Sequence, residues 1–294
     1  MDIMSVVNRE YKDRLFNFLF GQEENKAWTL SLYNAVNGSH YTDPSLIRFT
    51  TIREVIYLSM HNDMSFLISD EMNLYEQQSS YNPNMPLRML QLAGNLYEKF
   101  LKENNRNKYG SRLIHLPVPK LVVFYNGTED KADETILRLS DSFPVGADAD
   151  IEVRVRMINV NLGKSQAVLE ACKPLKEYAW LVDAIRTGRS GAGLEAVVDR
   201  VITQMPEDFV IKPFLKSHQA EVKGMLLTEY NEAEAMELFR KDGIEEGKEI
   251  GYASALVSLV KQGLLPLGVA CSQANMTEEA FRKLMEDPTQ NFPV

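Results

Sequence analysis

The sequence predicts an α/β sandwich built around a mixed central sheet that is flanked by helices and followed by a helical C-terminal region. Helical and strand-like hydrophobic periodicities alternate over the first half of the chain, whereas from about Ser165 onward the pattern is helical with polar breaks. A chain of 294 residues with 45% hydrophobic content is long enough for a full core and a small appended module. We therefore place a first domain at residues 1–230 and a helical region at residues 231–294.

Periodicity and turn residues give the predicted order helix, strands, helix, strand, strand, helices. The predicted helices cover residues 5–20, residues 25–36 and a segment from Pro86 to about residue 104, and the predicted strands cover residues 52–58, 121–125 and 151–155. Pro86 suits the first turn of a helix, because its missing amide hydrogen is not needed there. Ile151, Val153 and Val155 alternate with charged residues, which indicates a strand with one exposed face.

Composition excludes some classes of protein. No run of eighteen apolar residues is present, which argues against a membrane span, and the N-terminus lacks the basic and then apolar layout of a signal peptide. Cys172 and Cys271 are far apart and indicate no disulfide framework, so a cytoplasmic location is expected.

A net charge of −9 would argue against a nucleic-acid-binding protein if the charge were evenly spread along the chain. The charge is unevenly spread. Acidic residues dominate residues 228–249. Basic residues form two groups, the first comprising Lys99, Lys102, Arg106, Lys108, Arg112 and Lys120, and the second comprising Arg154, Arg156, Lys164, Lys173 and Lys176. Each group is explained equally well as a solvated surface or as part of a basic binding face.

Residues 62–78 carry most of the functional information, because they predict a β-hairpin whose two-residue loop is Ser69-Asp70. In that register Asp63 lies opposite Glu76, and alternation places Gln78 on the same face as Glu76. Two carboxylates about 5 Å apart repel by roughly 3 kcal/mol at an effective dielectric constant of about 20. Protonation of one carboxyl or a divalent cation between the two would relieve this repulsion.

The motif Asp, then Glu-x-Gln, on a hairpin resembles the PD-(D/E)XK nucleases, in the recombination-promoting, transposase-like branch called Rpn-like. The resemblance covers about two thirds of the chain and includes residues 11–16, 21–26, 75–79, 82–88 and 119–127. It implies a restriction-endonuclease-like core and a metal-dependent DNA endonuclease that serves recombination, mobile elements or defence.

The resemblance also implies roles for individual residues. Asp63, Glu76 and the main-chain carbonyl of Gln77 would bind Mg²⁺, for which Mn²⁺ could substitute. Gln78 stands where the eponymous pattern has a lysine that orients the attacking water. A glutamine amide can donate a hydrogen bond but brings no positive charge, which leaves open how the water is activated.

Other candidates are weaker. Lys12 and Arg88 are proposed to contact DNA phosphate, and Arg88 offers a bidentate fork suited to it. Glu10 or Asp13 would be an extra acidic group, although a charge on the exposed face of a helix is the simpler interpretation. His61 precedes the motif without a defined role. The remaining histidines, His40, His115 and His218, lack zinc-ligand spacing.

The C-terminal region has Gly243, Gly247 and Gly251 at four-residue spacing, which places them near one face of a helix. Close contact with a second copy of the chain would then give a homodimer, and a flexible acidic linker is the alternative. Two short helices, residues 253–262 and 277–285, are predicted around a connection at residues 263–276, with Thr277 as an N-cap.

Three functions remain open on the sequence alone. The first is a Mg²⁺-dependent DNA endonuclease. The second is a weakly active or inactive protein that keeps the nuclease fold and acts through protein–protein interaction. The third is cleavage of RNA, because the motif does not report the sugar of the nucleic acid.

Overall fold

The structure is a computed structural model that describes residues 15–50, 64–188 and 194–286. The helices are α1 (Leu15–Phe20), α2 (Lys26–Asn37), α3 (Met85–Glu103), α4 (Gln166–Ala171), α5 (Lys173–Thr187), α6 (Leu194–Gln204), α7 (Lys212–Ser217), α8 (Gln219–Lys261), α9 (Leu267–Gln273) and α10 (Glu278–Glu286). The strands are β1 (Arg48–Phe49), β2 (Met64–Ile68), β3 (Glu71–Gln78), β4 (Val118–Tyr125), β5 (Glu134–Arg138) and β6 (Arg154–Asn159). The predicted α/β class, with a mixed sheet flanked by helices and a helical C-terminal region, is confirmed.

The six strands form one sheet in the order β1-β2-β3-β4-β6-β5. The central strands β3, β4 and β6 are parallel, whereas β1–β2, β2–β3 and β5–β6 are antiparallel pairs. Parallel neighbours require a crossover, and α3 provides the one between β3 and β4. The carboxyl ends of β3, β4 and β6 therefore meet at one edge of the sheet.

Helices cover both faces of the sheet. One face packs against a large cluster that contains α1, α2 and α5, in which the ring of Phe16 lies 4.9 Å from that of Phe124 and 5.7 Å from that of Tyr178. The other face packs against α3, and the side chains of α3 that contact it include Met85 and Met89. Because both faces are covered, nearly every residue of β3 is buried, including its polar ones.

The chain divides into two compact units, residues 1–230 and 231–294, with the boundary inside α8. The second unit has its own small core, in which Leu256 and Val257 of α8 pack with Ala270 of α9 and with Phe281 of α10. Thr277 caps α10, because its hydroxyl accepts a hydrogen bond from the amide of Ala280 at 3.2 Å, as predicted. Within the described residues, no helix is both long and apolar enough to cross a membrane.

Several boundaries differ from the sequence prediction. The strand predicted at residues 151–155 is observed as β6 and begins at Arg154, and Ile151 is 48% exposed before it. Strand β5 was missed because it is an edge strand in which only Leu137 is buried. The connection predicted at residues 263–276 contains an unpredicted helix, α9. The start of the first predicted helix and the strand predicted at residues 52–58 lie outside the described residues.

The two cysteines, Cys172 and Cys271, are free and buried, in agreement with the expected absence of a disulfide framework. Burial raises the pKa of the Cys172 thiol to about 11. The thiol therefore stays protonated at neutral pH, and Cys172 serves as a small apolar side chain in the core.

We predict that Asn73→Leu raises the free energy of unfolding. Asn73 is fully buried in β3, and neither polar atom of its amide has a hydrogen-bond partner in the described structure. Leucine has a similar volume and removes the desolvation cost of the amide, which is about 1–3 kcal/mol. Urea denaturation measures the gain.

Thr29→Val is the matched control, because the buried hydroxyl of Thr29 donates to the carbonyl of Phe20. This change should lower the free energy of unfolding by about 1 kcal/mol. A loss of stability in Asn73→Leu would contradict the prediction and would indicate that the amide binds a buried water.

Candidate active site

The candidate site lies at the carboxyl end of β3, on the hairpin that the sequence predicts. The observed register pairs Met64 with Tyr75, Phe66 with Asn73 and Ile68 with Glu71, so the predicted register is confirmed for these pairs. Ser69 has a φ of 51°, and a positive φ is what the first residue of a two-residue hairpin loop requires. Asp63, which the sequence predicts opposite Glu76, lies outside the described residues.

The side chains of Glu76 and Gln78 lie on the same face of the sheet, as alternation predicts. Their neighbours on that face are Leu74 and, across the parallel ladder, Val123 and Tyr125, all of which belong to the cluster under α3. Gln77 points to the opposite face. The two polar side chains are therefore held between the sheet and the first turns of α3.

Glu76 is paired with Arg88. The Glu76 side chain is only 3% exposed, and its Oε2 lies 3.3 Å from Nη2 of Arg88, whose side chain is 37% exposed. A buried carboxylate needs such a partner, because desolvation of an unpaired charge is costly. Arg88 reaches Glu76 because α3 starts at Met85, so that its first turn lies over the end of β3. Arg88 was predicted to contact phosphate, and in this structure its guanidinium contacts a carboxylate of the site.

Gln78 is 93% buried and bonded to a sulfur atom, with its Nε2 donating to Sδ of Met85 at 2.7 Å. Nη1 of Arg88 lies 3.6 Å from the same sulfur. A thioether is a weak acceptor, so a water or phosphate oxygen that enters the site can compete for both donors. Gln78 and Arg88 thus present two donors beside one carboxylate.

On the opposite face, Gln77 begins a chain of buried hydrogen bonds. Its Nε2 donates to Oδ1 of Asn126 at 2.7 Å, and Nδ2 of Asn126 donates to the hydroxyl of Tyr178 on α5 at 3.0 Å. The main-chain amide of Asn126 also donates to the carbonyl of Gln78 at 3.0 Å. These bonds fix the backbone of β3 at the residues that form the candidate site.

Arg186 of α5 extends this network to the next strand. Its guanidinium donates to the carbonyl of Asn126, and its Nη1 donates to Oδ1 of Asn161 at 2.9 Å. Asn161 follows β6 and donates to the carbonyl of Gly127 at 3.0 Å. The ends of β4 and β6 are thereby tied together through side-chain amides and one guanidinium.

Gly127 allows β3 and β4 to approach closely where they end. A Cβ at this position would overlap the hydroxyl of Tyr125 and the carbonyl of Ser79. The Tyr125 hydroxyl donates to the carbonyl of Glu129 and accepts from its amide, each at 3.1 Å. Burial raises the pKa of Tyr125, so the hydroxyl keeps its proton and both bonds at neutral pH.

Sequence reasoning missed Met85, Asn126, Asn161 and Arg186. Asn126 had a usable signal, because it directly follows an apolar strand within a block already noted for its resemblance to known nucleases. Arg186 and Asn161 had none, since their roles depend on how α5 packs against the end of β6.

The remaining candidates are not brought to this site by the described structure. Glu10, Lys12, Asp13 and His61 lie outside the described residues, as does Asp63. His218 packs against the ring of Phe214, with ring centroids 4.5 Å apart. Across residues 15–50, 64–188 and 194–286, no group of three or more His, Cys, Asp or Glu side chains is placed to hold a metal ion.

Comparison of the chain with models of protein families, with curated proteins and with solved structures gave no match. The function therefore has to be argued from the geometry of the site.

We predict that Tyr178→Phe lowers the free energy of unfolding by about 1–2 kcal/mol. The change removes the hydroxyl that accepts from Asn126 and leaves a buried amide hydrogen without that acceptor. Chemical denaturation measures the loss. Tyr109→Phe is the matched control, because Tyr109 is 87% exposed and should change stability by less than about 0.5 kcal/mol. Equal effects of the two substitutions would contradict the role given to the network.

Proposed function

We propose that the protein is a metal-dependent DNA endonuclease of the Rpn-like branch of the PD-(D/E)XK fold, acting in the cytoplasm in recombination, mobile-element biology or defence. One observation carries the proposal. Glu76, a buried carboxylate, and Gln78 share one sheet face at the carboxyl end of β3, in a hairpin that has the predicted register where it is described. This is the arrangement expected for the Glu-x-Gln part of the motif.

The donor set suits a hard divalent cation. The carboxylates of Asp63 and Glu76 and the main-chain carbonyl of Gln77 are oxygen donors of the kind that Mg²⁺ or Mn²⁺ prefers. Glu76 already contacts one cation, because its Oε2 lies 3.3 Å from Nη2 of Arg88. When bound, the metal would lower the pKa of a water molecule and neutralise charge on the phosphate.

The chain's own side chains would position the other reactants. Gln78 can donate to the attacking water or to a phosphate oxygen. Its amide would then give up the weak sulfur acceptor of Met85 for a stronger oxygen acceptor. Arg88 lies beside Glu76, and its guanidinium can bind a phosphate oxygen with two donors. Neither residue removes a proton, so activation of the water would depend on the carboxylates and on the metal that they would hold.

The second candidate is a weakly active or inactive nuclease fold that works through protein–protein interaction. Two observations favour it. Gln78 carries no charge and its amide is already bonded to Met85. The second unit also exposes large apolar side chains, including Leu264 at 69% and Val269 at 46%.

We predict that Asp63→Ala and Glu76→Ala each abolish cleavage of plasmid DNA, because each removes a carboxylate from the metal site. Purified protein is incubated with plasmid and Mg²⁺ or Mn²⁺, with and without EDTA, beside a single-stranded RNA of mixed sequence. Circular dichroism shows whether each variant keeps its fold. Gln78→Lys, which restores the charge of the commoner motif, should keep or raise the activity.

Each other outcome of this assay has a defined meaning. Equal cleavage by the wild type and both alanine variants would point to a contaminating nuclease. Cleavage of RNA in place of DNA would change the substrate class but keep the metal site. Folded wild-type protein that cleaves neither substrate would favour the interaction protein.

We also propose that the protein forms a homodimer through the region from about Gly243 onward. Two active sites related by twofold symmetry are the simplest way to cut both strands of a duplex. Gly247 and Gly251 belong to α8, and outside the backbone of that helix no described atom lies within 4 Å of the position that a Cβ would take at either residue. A second helix can therefore approach this face closely.

We predict that Gly247→Gln converts the dimer to a monomer, because the larger side chain separates the two helices. Helix propensity alone would favour the glutamine by roughly 0.5–1 kcal/mol, so the fold should be kept. Light scattering should give twice the 33.5 kDa chain mass for the wild type and one chain mass for the variant. Gly94→Gln, at an equally open position of α3, is the control. A monomeric wild type at micromolar concentration would end this proposal.

A further inference from the structure

The two basic groups of the sequence differ in how far carboxylates neutralise them. Most of the second group is paired: Arg156 with Glu134 at 2.7 Å, Lys164 with Asp130 at 2.9 Å, Lys176 with Glu170 at 2.6 Å and Lys173 with Asp208 at 3.7 Å. This group is thus an ordinary surface of ion pairs, with little positive charge left for a partner.

In the first basic group, fewer of the cations are paired with carboxylates. Lys108 pairs with Glu98, and Lys120 pairs with Glu71 at 3.3 Å. Lys102, Arg106 and Arg112 are exposed and form no ion pair with any described residue. Within the described residues, these three cations lie within eleven positions without an ion-pair partner and form a positive surface on a chain whose net charge is −9.

The loop formed by residues 104–117 also exposes apolar side chains among these cations. Tyr109 is 87% exposed and Leu113 is 84% exposed, and Nζ of Lys108 lies 5.6 Å from the centre of the Tyr109 ring. A groove of about 770 Å³ reaches the end of the loop, and its walls include Arg48, Phe100 and His115 together with Asp70. An exposed ring among cations is typical of surfaces that bind nucleic acid.

Helix α3 connects this loop to the candidate active site. Its residues Arg88, Gln91, Asn95, Lys99 and Lys102 recur every three or four positions along one side of the helix, with Glu98 and Glu103 at the borders of that side. Lys99 is partly engaged, since its Nζ donates to the carbonyl of Thr50 at 3.0 Å and lies 4.0 Å from Glu103. The stripe leads from Glu76, beside Arg88, to the exposed cations of the loop.

We propose that this stripe and the loop of residues 104–117 form the surface that holds duplex DNA by its phosphates. The inference rests on the proposed nuclease function and adds the substrate-binding surface to it. At about 1.5 Å per residue, Arg88 and Lys102 are about 21 Å apart along α3. At 3.4 Å per base pair, the start of the loop would contact DNA about six base pairs from the bond that is cut.

Duplex DNA fits this surface better than an acidic peptide does. The stripe and loop extend over most of a helical turn of DNA, along which phosphates recur regularly, whereas an acidic peptide would need charges spaced to match. Because the rest of the protein is acidic, contact should be confined to this surface and should weaken steeply with salt.

The test measures binding without cleavage. The full-length protein is titrated into a fluorescein-labelled duplex of about 30 base pairs, several times the expected footprint, in EDTA at several salt concentrations. Fluorescence anisotropy gives Kd and its salt dependence. The test variant is K102A/R106A/R112A, and the control is K164A/K173A/K176A, which removes the same charge from the neutralised group.

The test variant should lose about 2–3 from the slope of log affinity against log salt concentration, because each phosphate contact contributes about 0.9. At 0.1 M salt it should bind at least about tenfold more weakly than the wild type. The control should bind within about twofold of the wild type. If the test variant fails to fold, the single changes Arg106→Glu and Arg112→Glu carry the same comparison.

Four results would overturn the inference. These are no binding by the wild type, unchanged binding by the test variant, equal losses in both triple variants, and tighter binding of a single-stranded RNA or an acidic peptide than of duplex DNA.

Binding by Glu76→Gln separates the two proposals. If the wild type and Glu76→Gln bind DNA through this surface but no cleavage occurs with Mg²⁺ or Mn²⁺, the surface stands and the nuclease proposal fails. If cleavage occurs and the test variant keeps the KM of the wild type, the surface fails and the nuclease proposal stands.

Discussion

Strand β3 is paired on both edges, antiparallel to β2 and parallel to β4, and covered on both faces by helices. Its position fixes much of the first unit. A slip of one residue would turn Glu76 and Gln78 toward the opposite face and would move Tyr75 from the cluster with Phe16 and Tyr178 to the face under α3. Pairing opposes that slip, because residues 71–75 of β3 have a neighbour on both sides and residues 76–78 have one on β4.

Burial of β3 carries an energetic cost at its carboxyl end, where Glu76, Gln77 and Gln78 are consecutive polar residues. Hydrogen bonds offset part of this cost on each face, with Arg88 and Met85 as partners on one side and Asn126 on the other. A core strand built only for stability would have apolar residues here. The retention of three polar side chains is the reason to place the site at this edge of the sheet.

Charge is distributed along the first unit in a way that suits the proposed substrate. The carboxylate of Glu76 lies beside a helix whose exposed cations continue away from it, while the second basic group is neutralised by acidic neighbours. An overall charge of −9 therefore does not argue against binding DNA, because the potential near the surface depends on local groups within about 8 Å at physiological salt.

The sequence by itself determined the α/β class, the hairpin register and the shared face of Glu76 and Gln78. Strand alternation and a two-residue loop are local rules, so they can be applied without knowing the rest of the fold. Only the tertiary structure decided that Arg88 lies on Glu76, that Gln78 donates to Met85, and that Asn126 links β3 to α5. These contacts depend on how α3 and α5 pack against the sheet, and helix packing is set by many weak side-chain contacts between distant parts of the chain.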